Sequence, residues 1–284
     1  MTGNIKKIYP SSAAFMLGAK VDSAKNHSCP RYLWTMDRLP EQHSDIPEEY
    51  AALGLLNETR VALIYDDGKI PYKREVRVTK DFNGCKISGK IDFVLYPDTA
   101  PIYIETKATS SKNVRRDVLT AQTPDLNHLA QLVTYMMLDN VRNGQMIVSY
   151  YETDAGRLSF QVVEEHTFIV EILDSGVLTV DGKVFNKSTK DLARWYKVVS
   201  DSLTTDSVPG MPAPTGSYYK NICRFCPLIE VCKSYHTGTV TDGTFLAEAQ
   251  VELAKPKTKR PFVIHGPPKR RRASKKFETE EESD

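Results

Sequence analysis

Residues 89–107, GKIDFVLYPDTAPIYIETK, carry the stretch whose reading decides the fold. Two apolar runs, Lys86–Leu95 and Ile102–Thr106, flank a turn that holds Pro97 and Pro101. Proline lacks the N–H that a strand ladder needs, so the runs read as two strands joined by Tyr96–Pro101. Charges interrupt both strands. Asp92 lies inside the first; Glu105 and Lys107 end the second, two residues apart and therefore on one sheet face. The short turn brings Asp92 alongside them if it faces the same way. Charge in a strand that otherwise takes Val and Ile is costly unless it is paired or binds a metal. Two carboxylates can hold Mg²⁺ or Mn²⁺ through oxygen, leaving positions for water and a phosphate oxygen. A lysine beside them can orient or activate that water and offset charge developing on the phosphorane. The plain alternative is an amphipathic hairpin with a surface Glu–Lys pair; Gly89-x-x-Asp92 ahead of Glu-x-Lys puts the site on an equal footing with it.

Upstream, Glu75–Thr79 alternates as a strand does, an Asn83-Gly84 turn follows, and Glu48–Ile64 has apolar residues at helical spacing. Residues 1–28 read as an arm, with a short helix around Ala13–Leu17. Downstream, a basic loop, Ser110–Arg116, leads to a helix over Leu126–Leu138 whose inner face is Leu129, Leu132, Val133 and Met136. Strands are expected at Met146–Tyr151, Leu158–Val163 and Val177–Val180, and a further helix at Asp191–Leu203. Residues 204–217 form a linker, and a disordered tail is expected beyond about Thr237, where apolar content falls and charge blocks begin.

CRFCPLIEVC places Cys223, Cys226 and Cys232 as Cys-x2-Cys-x5-Cys. Three thiolates so close suit Zn²⁺ or an iron–sulfur cluster, and spacing does not choose between them. Cys29, in HSCPRYLW, is the obvious fourth ligand; Cys85, lying in a strand, fits a small core residue better. His27 and His236 flank the cysteines and keep zinc open.

The chain of 284 residues is 40% hydrophobic and 26% charged, ordinary for a protein with a sizeable core. No apolar run approaches the roughly 20 residues of a membrane helix, and the N-terminus lacks a signal-peptide core. An intracellular, cytoplasmic protein without a membrane partner is expected. Five cysteines are too few and too clustered for a secreted disulfide framework. The net charge of +2 hides an asymmetry: residues 255–276 carry ten Lys or Arg, residues 277–284 carry five acids, and the body has 28 basic against 31 acidic side chains. The polybasic run PPKRRRASKK can neutralise DNA phosphates or dock a partner; a solvated tail explains it equally well.

In the order Asp92, Glu105-x-Lys107, the sequence resembles the PD-(D/E)XK nucleases. It is most similar to their RecB-like branch, which includes CRISPR-adaptation nucleases and many phage exonucleases. The residue before Asp92 is Ile91 where the motif name has proline. The branch carries Gln-x-x-x-Tyr on the helix after the lysine strand, and HLAQLVTYMM supplies Gln131 and Tyr135, on one helical face. It also carries Gly-x-x-x-His upstream, the histidine being a metal ligand. Gly54-Leu55-Leu56-Asn57-Glu58 puts Glu58 in that place, with Glu75 a competing candidate. Its iron–sulfur members have one cysteine before the core and three after it, so the resemblance favours a 4Fe-4S cluster on Cys29, Cys223, Cys226 and Cys232.

The resemblance implies an α/β fold: a restriction-endonuclease-like core with a mixed central sheet flanked by helices, plus a small cysteine-liganded cap. The expected domains are an arm over 1–28, a nuclease domain over 29–236 and a tail over 237–284. The implied activity is metal-dependent hydrolysis of DNA, exonucleolytic on ends or single strands. It would serve replication, recombination or repair, in a phage-encoded setting or with a recombination or replication partner. In that reading Asp92, Glu105 and Glu58 bind Mg²⁺ or Mn²⁺, Lys107 positions water, and Gln131 and Tyr135 support substrate. The alternatives are a non-catalytic nucleic-acid-binding or recruitment protein, and a CRISPR-type adaptation nuclease.

Overall fold

A seven-stranded sheet with strand order β1-β2-β3-β4-β5-β6-β7 forms the centre of the computed structural model. The structure describes residues 29–39, 48–82, 85–154, 157–210, 223 and 226–255. The strands are β1 (Tyr72–Phe82), β2 (Cys85–Leu95), β3 (Ile102–Thr109), β4 (Asn143–Asp154), β5 (Arg157–Ile172), β6 (Val177–Val180) and β7 (Lys183–Ser188). All neighbours are antiparallel except β3 and β4, which run parallel from Ile102↔Asn143 to Thr109↔Tyr150. A parallel pair needs a crossover. It is supplied by a short helix α3 (Lys112–Val114), a π-helical segment (Arg115–Thr120) and α4 (Leu126–Asp139).

α4 forms where the sequence predicts a helix. Asp125 caps it, its carboxylate accepting from the N–H groups of Asn127 and His128, and Asn140 ends it at φ 55° in the left-handed region. Leu129, Leu132, Val133 and Met136 are all fully buried. They pack in the main core with Ile91, Val94, Tyr103, Met146, Phe168 and residues of α5 (Thr189–Leu203). A separate cluster joins α2 (Glu48–Asp67), through Val61, Ala62 and Tyr65, to Phe93, Leu95, Ile104 and Ile147. Tyr103 and Ile104 are neighbours in β3 yet belong to different cores, so the alternation of the strand sends them to opposite faces. The sheet is therefore covered by α2 on one face and by α4 and α5 on the other.

A third core builds the cap. Trp34 of α1 (Pro30–Arg38) packs with Val208, Leu228, Val231, Phe245 and Ala249. These come from the linker, α6 (Ile229–His236) and α7 (Asp242–Ala254). Trp34 Nε1 donates to Thr205 O at 3.0 Å and Arg38 Nη2 to the same oxygen at 2.8 Å, so hydrogen bonds also tie α1 to the linker.

Two elements differ from the sequence-based expectation. The described structure continues past Thr237, where a tail is expected. Residues 242–254 form α7, with Phe245 and Ala249 fully buried at i, i+4 spacing, a short apolar face inside a charged composition. Leu253 ends the large compact unit of the chain, and residues 256–284, with the polybasic and acidic runs, lie outside the described residues. The arm over 1–28 and the Asn83-Gly84 turn also lie outside them. Strand β7 was not expected. Asp181 and Gly182, at φ 50° and 71°, make the two-residue hairpin that turns β6 into it.

Candidate active site

The β2–β3 ladder runs from Leu95↔Ile102 to Phe93↔Ile104 and stops. Asp92 and Glu105, the next two residues, would have been the following pair. In place of a backbone partner, the Thr106 N–H donates to Asp92 Oδ2 at 2.7 Å, and the Thr106 hydroxyl lies 3.1 Å from the same oxygen. The splayed strands hold the aspartate by the middle residue of Glu-x-Lys. Thr106 gave no signal in the sequence, since its role exists only in this register.

Glu105 is fully buried. Lys107 Nζ pairs with its Oε1, and Oε2 accepts no hydrogen bond from any described residue. Burial first, then the nearby Asp92 and Glu58 carboxylates, push the Glu105 carboxyl up to about 8, against the pull of Lys107. Burial draws the Lys107 ammonium down. The three carboxylates around it, Glu105 foremost and then Asp92 and Glu58, outweigh that and hold its pKa above the ordinary lysine value.

Glu58, on α2, faces this group. Its carboxyl is raised by burial and by Asp92, and Arg74 Nη2 lies 3.8 Å from its Oε2. Glu75 is exposed and ion-paired with Lys90, which holds its carboxyl below the usual range. It sits across from Asp92 at φ 50°, a left-handed conformation uncommon for a residue with a Cβ. Among the described residues, no three His, Cys, Asp or Glu side chains stand close enough together to grip an ion as they are. Glu58 is therefore near the carboxylate pair without completing a ligand shell.

Gln131 and Tyr135 meet on α4. The Gln131 side chain and the Lys90 backbone N–H both hydrogen-bond the Tyr135 hydroxyl, which burial and the Glu105 carboxylate hold well above its ordinary pKa. The hydroxyl end of the tyrosine lies close against Gly89. A Cβ there would stand 2.0 Å from the Tyr135 oxygen and 2.7 Å from ring carbons, so only glycine admits the ring. Gly89 and Tyr135, 46 positions apart, are thus one feature.

At the cap, Cys29, Cys223 and Cys232 are buried, Cys226 is half-buried, and none is in a disulfide. Burial lifts the Cys223 thiol to about 11 and the Cys226 thiol to about 12, with contributions from the other cysteines. Burial also raises Cys232, against the neighbouring Arg31. The structure places Cys29 within electrostatic range of the C-terminal three, although no three of the described thiols stand as close as the ligands of one metal ion. Cys85 lies in β2, its side chain outside the described set. No helix among the described residues is long and apolar enough to cross a membrane.

The mixed sheet opens at one point, where two adjacent strands present a carboxylate each and one of them a lysine. The chain belongs to the PD-(D/E)XK nuclease superfamily, whose profile matches residues 17–233. Its fold is similar to a phage-related exonuclease from Haemophilus somnus 129PT, at 16% identity and a TM-score of 0.47, over 70% of this chain and 95% of that one. It is likewise similar to LHK-Exo, solved in complex with dAMP, at 12% identity and a TM-score of 0.47, over 70% of this chain and 87% of that one. No curated protein matches the sequence.

Proposed function

We propose that this chain is a divalent-metal-dependent deoxyribonuclease acting on DNA ends or single strands. The observation that carries this reading is Glu105: a fully buried carboxylate with one oxygen paired to Lys107 and the other without a hydrogen-bond partner among the described residues, beside Asp92. Such a group is costly unless a cation accepts it. Mg²⁺ or Mn²⁺ suits the all-oxygen donor set, held by Asp92 and Glu105 with Glu58 in reach. Bound there, it would supply Lewis-acid polarisation of the phosphodiester and a more acidic water.

The protein's own groups do the rest. Thr106 fixes Asp92 through its N–H and hydroxyl, so the carboxylate is oriented before substrate arrives. Lys107 carries its proton and acts by donating hydrogen bonds: it orients the attacking water and offsets negative charge growing on the phosphate oxygens. Tyr135, braced by Gln131, walls the site against β2 and fixes the strand that carries Asp92. The exonucleolytic mode, and a recombination or replication partner, follow from the resemblance of the motifs to RecB-like phage exonucleases.

The four cap cysteines suit a 4Fe-4S cluster, with zinc as the alternative. High thiol pKa values mean that a bound cation is what would ionise them. Hydrolysis needs no electron transfer, so such a centre is structural and joins the two ends of the domain.

The test is incubation of purified protein with end-labelled single- and double-stranded DNA, with Mg²⁺, Mn²⁺ or EDTA. Asp92→Ala, Glu105→Ala and Lys107→Ala should each reduce cleavage by orders of magnitude, and double variants should be hardly worse than singles. Cleavage by Lys107→Ala at near wild-type rate would sink the assignment.

A further inference from the structure

Arg31 heads the large side chains that are fully buried, at 1% exposure, and neither of the assigned chemistries uses it. Its Nε donates to Pro209 O at 2.8 Å. Its guanidinium carbon lies 4.9 Å from the Tyr235 ring centroid and 5.8 Å from that of Phe245. Its Nη1 has no hydrogen-bond partner. Among the described residues it makes no ion pair with a carboxylate. The groups that face it from the rest of the cap are thiols: it hydrogen-bonds the Cys232 sulfur and sits close enough to Cys223 to act on it electrostatically.

A guanidinium does not deprotonate in a protein, so this is a buried permanent charge. Two aromatic faces offset part of its desolvation. A neutral thiol offsets little, being a weak acceptor. A metal-bound thiolate carries negative charge and accepts strongly. Four thiolates around Zn²⁺, or around a 4Fe-4S core in its oxidised state, leave a net charge of about −2 inside the cap. Such a centre and Arg31 each answer the cost of burying the other.

We propose that Arg31 is the counter-charge of a thiolate-bound metal centre, donating to the Cys232 sulfur and holding the centre's net charge in the cap. This rests on the reading of the four cysteines as metal ligands. It makes Arg31 a positioning residue that acts through them. The spare Nη1 donor is available to a second sulfur of the bound centre. Arginine fits better than lysine because its fork can serve Pro209 and a sulfur at once.

The test uses full-length protein purified anaerobically, with iron and zinc measured per chain and metal release to a chelator followed over time. Wild type should carry metal, and Cys232→Ser should lose it. Arg31→Gln should release metal at least ten-fold faster than wild type, and Arg31→Lys should recover part of the loss. If the metal is iron, the reduction potential of Arg31→Gln should shift to more negative values, because reduction adds an electron to a centre that has lost its nearby cation. A purely structural arginine predicts otherwise: a lower melting temperature, with release rate and potential unchanged. That result overturns the inference while leaving the centre in place. Wild type free of both metals overturns the centre and the inference with it. If Arg31→Gln fails to fold, Arg31→Met is compared with the charge-keeping Arg31→Lys, and equal metal release from the two overturns the proposal.

Discussion

Replacing Glu105 with glutamine should stabilise the metal-free protein, although it destroys the site. In the folded chain the carboxyl is raised from 4.5 to about 8, chiefly by burial. Below the unfolded value both states hold the proton and stability does not change with pH. Between 4.5 and about 8 the unfolded chain has lost a proton that the folded chain keeps, so folding stability falls as pH rises. Above about 8 both states are ionised and the loss is complete. At about 1.4 kcal/mol per pH unit, the loss is on the order of 3 kcal/mol at pH 7 and approaches about 5 kcal/mol once the native carboxyl has ionised.

Glutamine has the shape of the neutral acid and never ionises, so it should remove this slope. The opposing effect is the lost ion pair with Lys107, which Asp92 and Glu58 in part replace. The assay is urea unfolding in EDTA from pH 5 to pH 9, on wild type and Glu105→Gln. The variant should be more stable by a few kcal/mol at pH 8, with the gap closing towards pH 5. Saturating Mg²⁺ or Mn²⁺ should narrow the gap by stabilising wild type only, by about 2.7 kcal/mol at one hundred times the dissociation constant. A variant less stable than wild type at pH 8 without metal would refute the reasoning, because the Lys107 pair would then outweigh the burial.

Gly89→Ala should cost about 1–3 kcal/mol by driving a methyl into the Tyr135 ring, and the penalty should largely vanish in a Tyr135→Ala background. Equal penalties in both backgrounds, measured by thermal melts as a double-mutant cycle, would separate the two residues. Phe245→Ala should destabilise by about 3–5 kcal/mol, which urea titration would read, because the ring is fully buried between Trp34 and Tyr235. Deleting residues 256–284 should leave the melting temperature unchanged and flatten the salt dependence of DNA binding, each lost phosphate contact reducing the slope by about 0.7–0.9. An unchanged slope would assign the tail's charges to a protein partner.

What the sequence determined by itself is whatever repeats over a few residues. The period of 3.6 in LNHLAQLVTYMM selects Leu129, Leu132, Val133 and Met136, and all four are buried; alternation in KISGKIDFVL and IYIETK sets two strands and puts Glu105 and Lys107 on one face. Even local signals were incomplete. Asp181-Gly182 marks the turn into β7, and Phe245 with Ala249 marks the inner face of α7, but each is a signal of only two residues set in polar sequence. The tertiary structure decided everything that depends on two distant segments sharing a place. Whether Asp92 takes a ladder partner or the Thr106 N–H depends on where β2 and β3 part, and no periodicity encodes that point. Gly89 reads as a loose strand glycine until Tyr135 arrives above it from α4. Arg31 reads as a helix-start arginine until α6 and α7 bury it against Cys232. Burial is what changes the chemistry of these side chains, through lost hydration and altered charge, and burial is fixed by long-range packing rather than by the residues on either side.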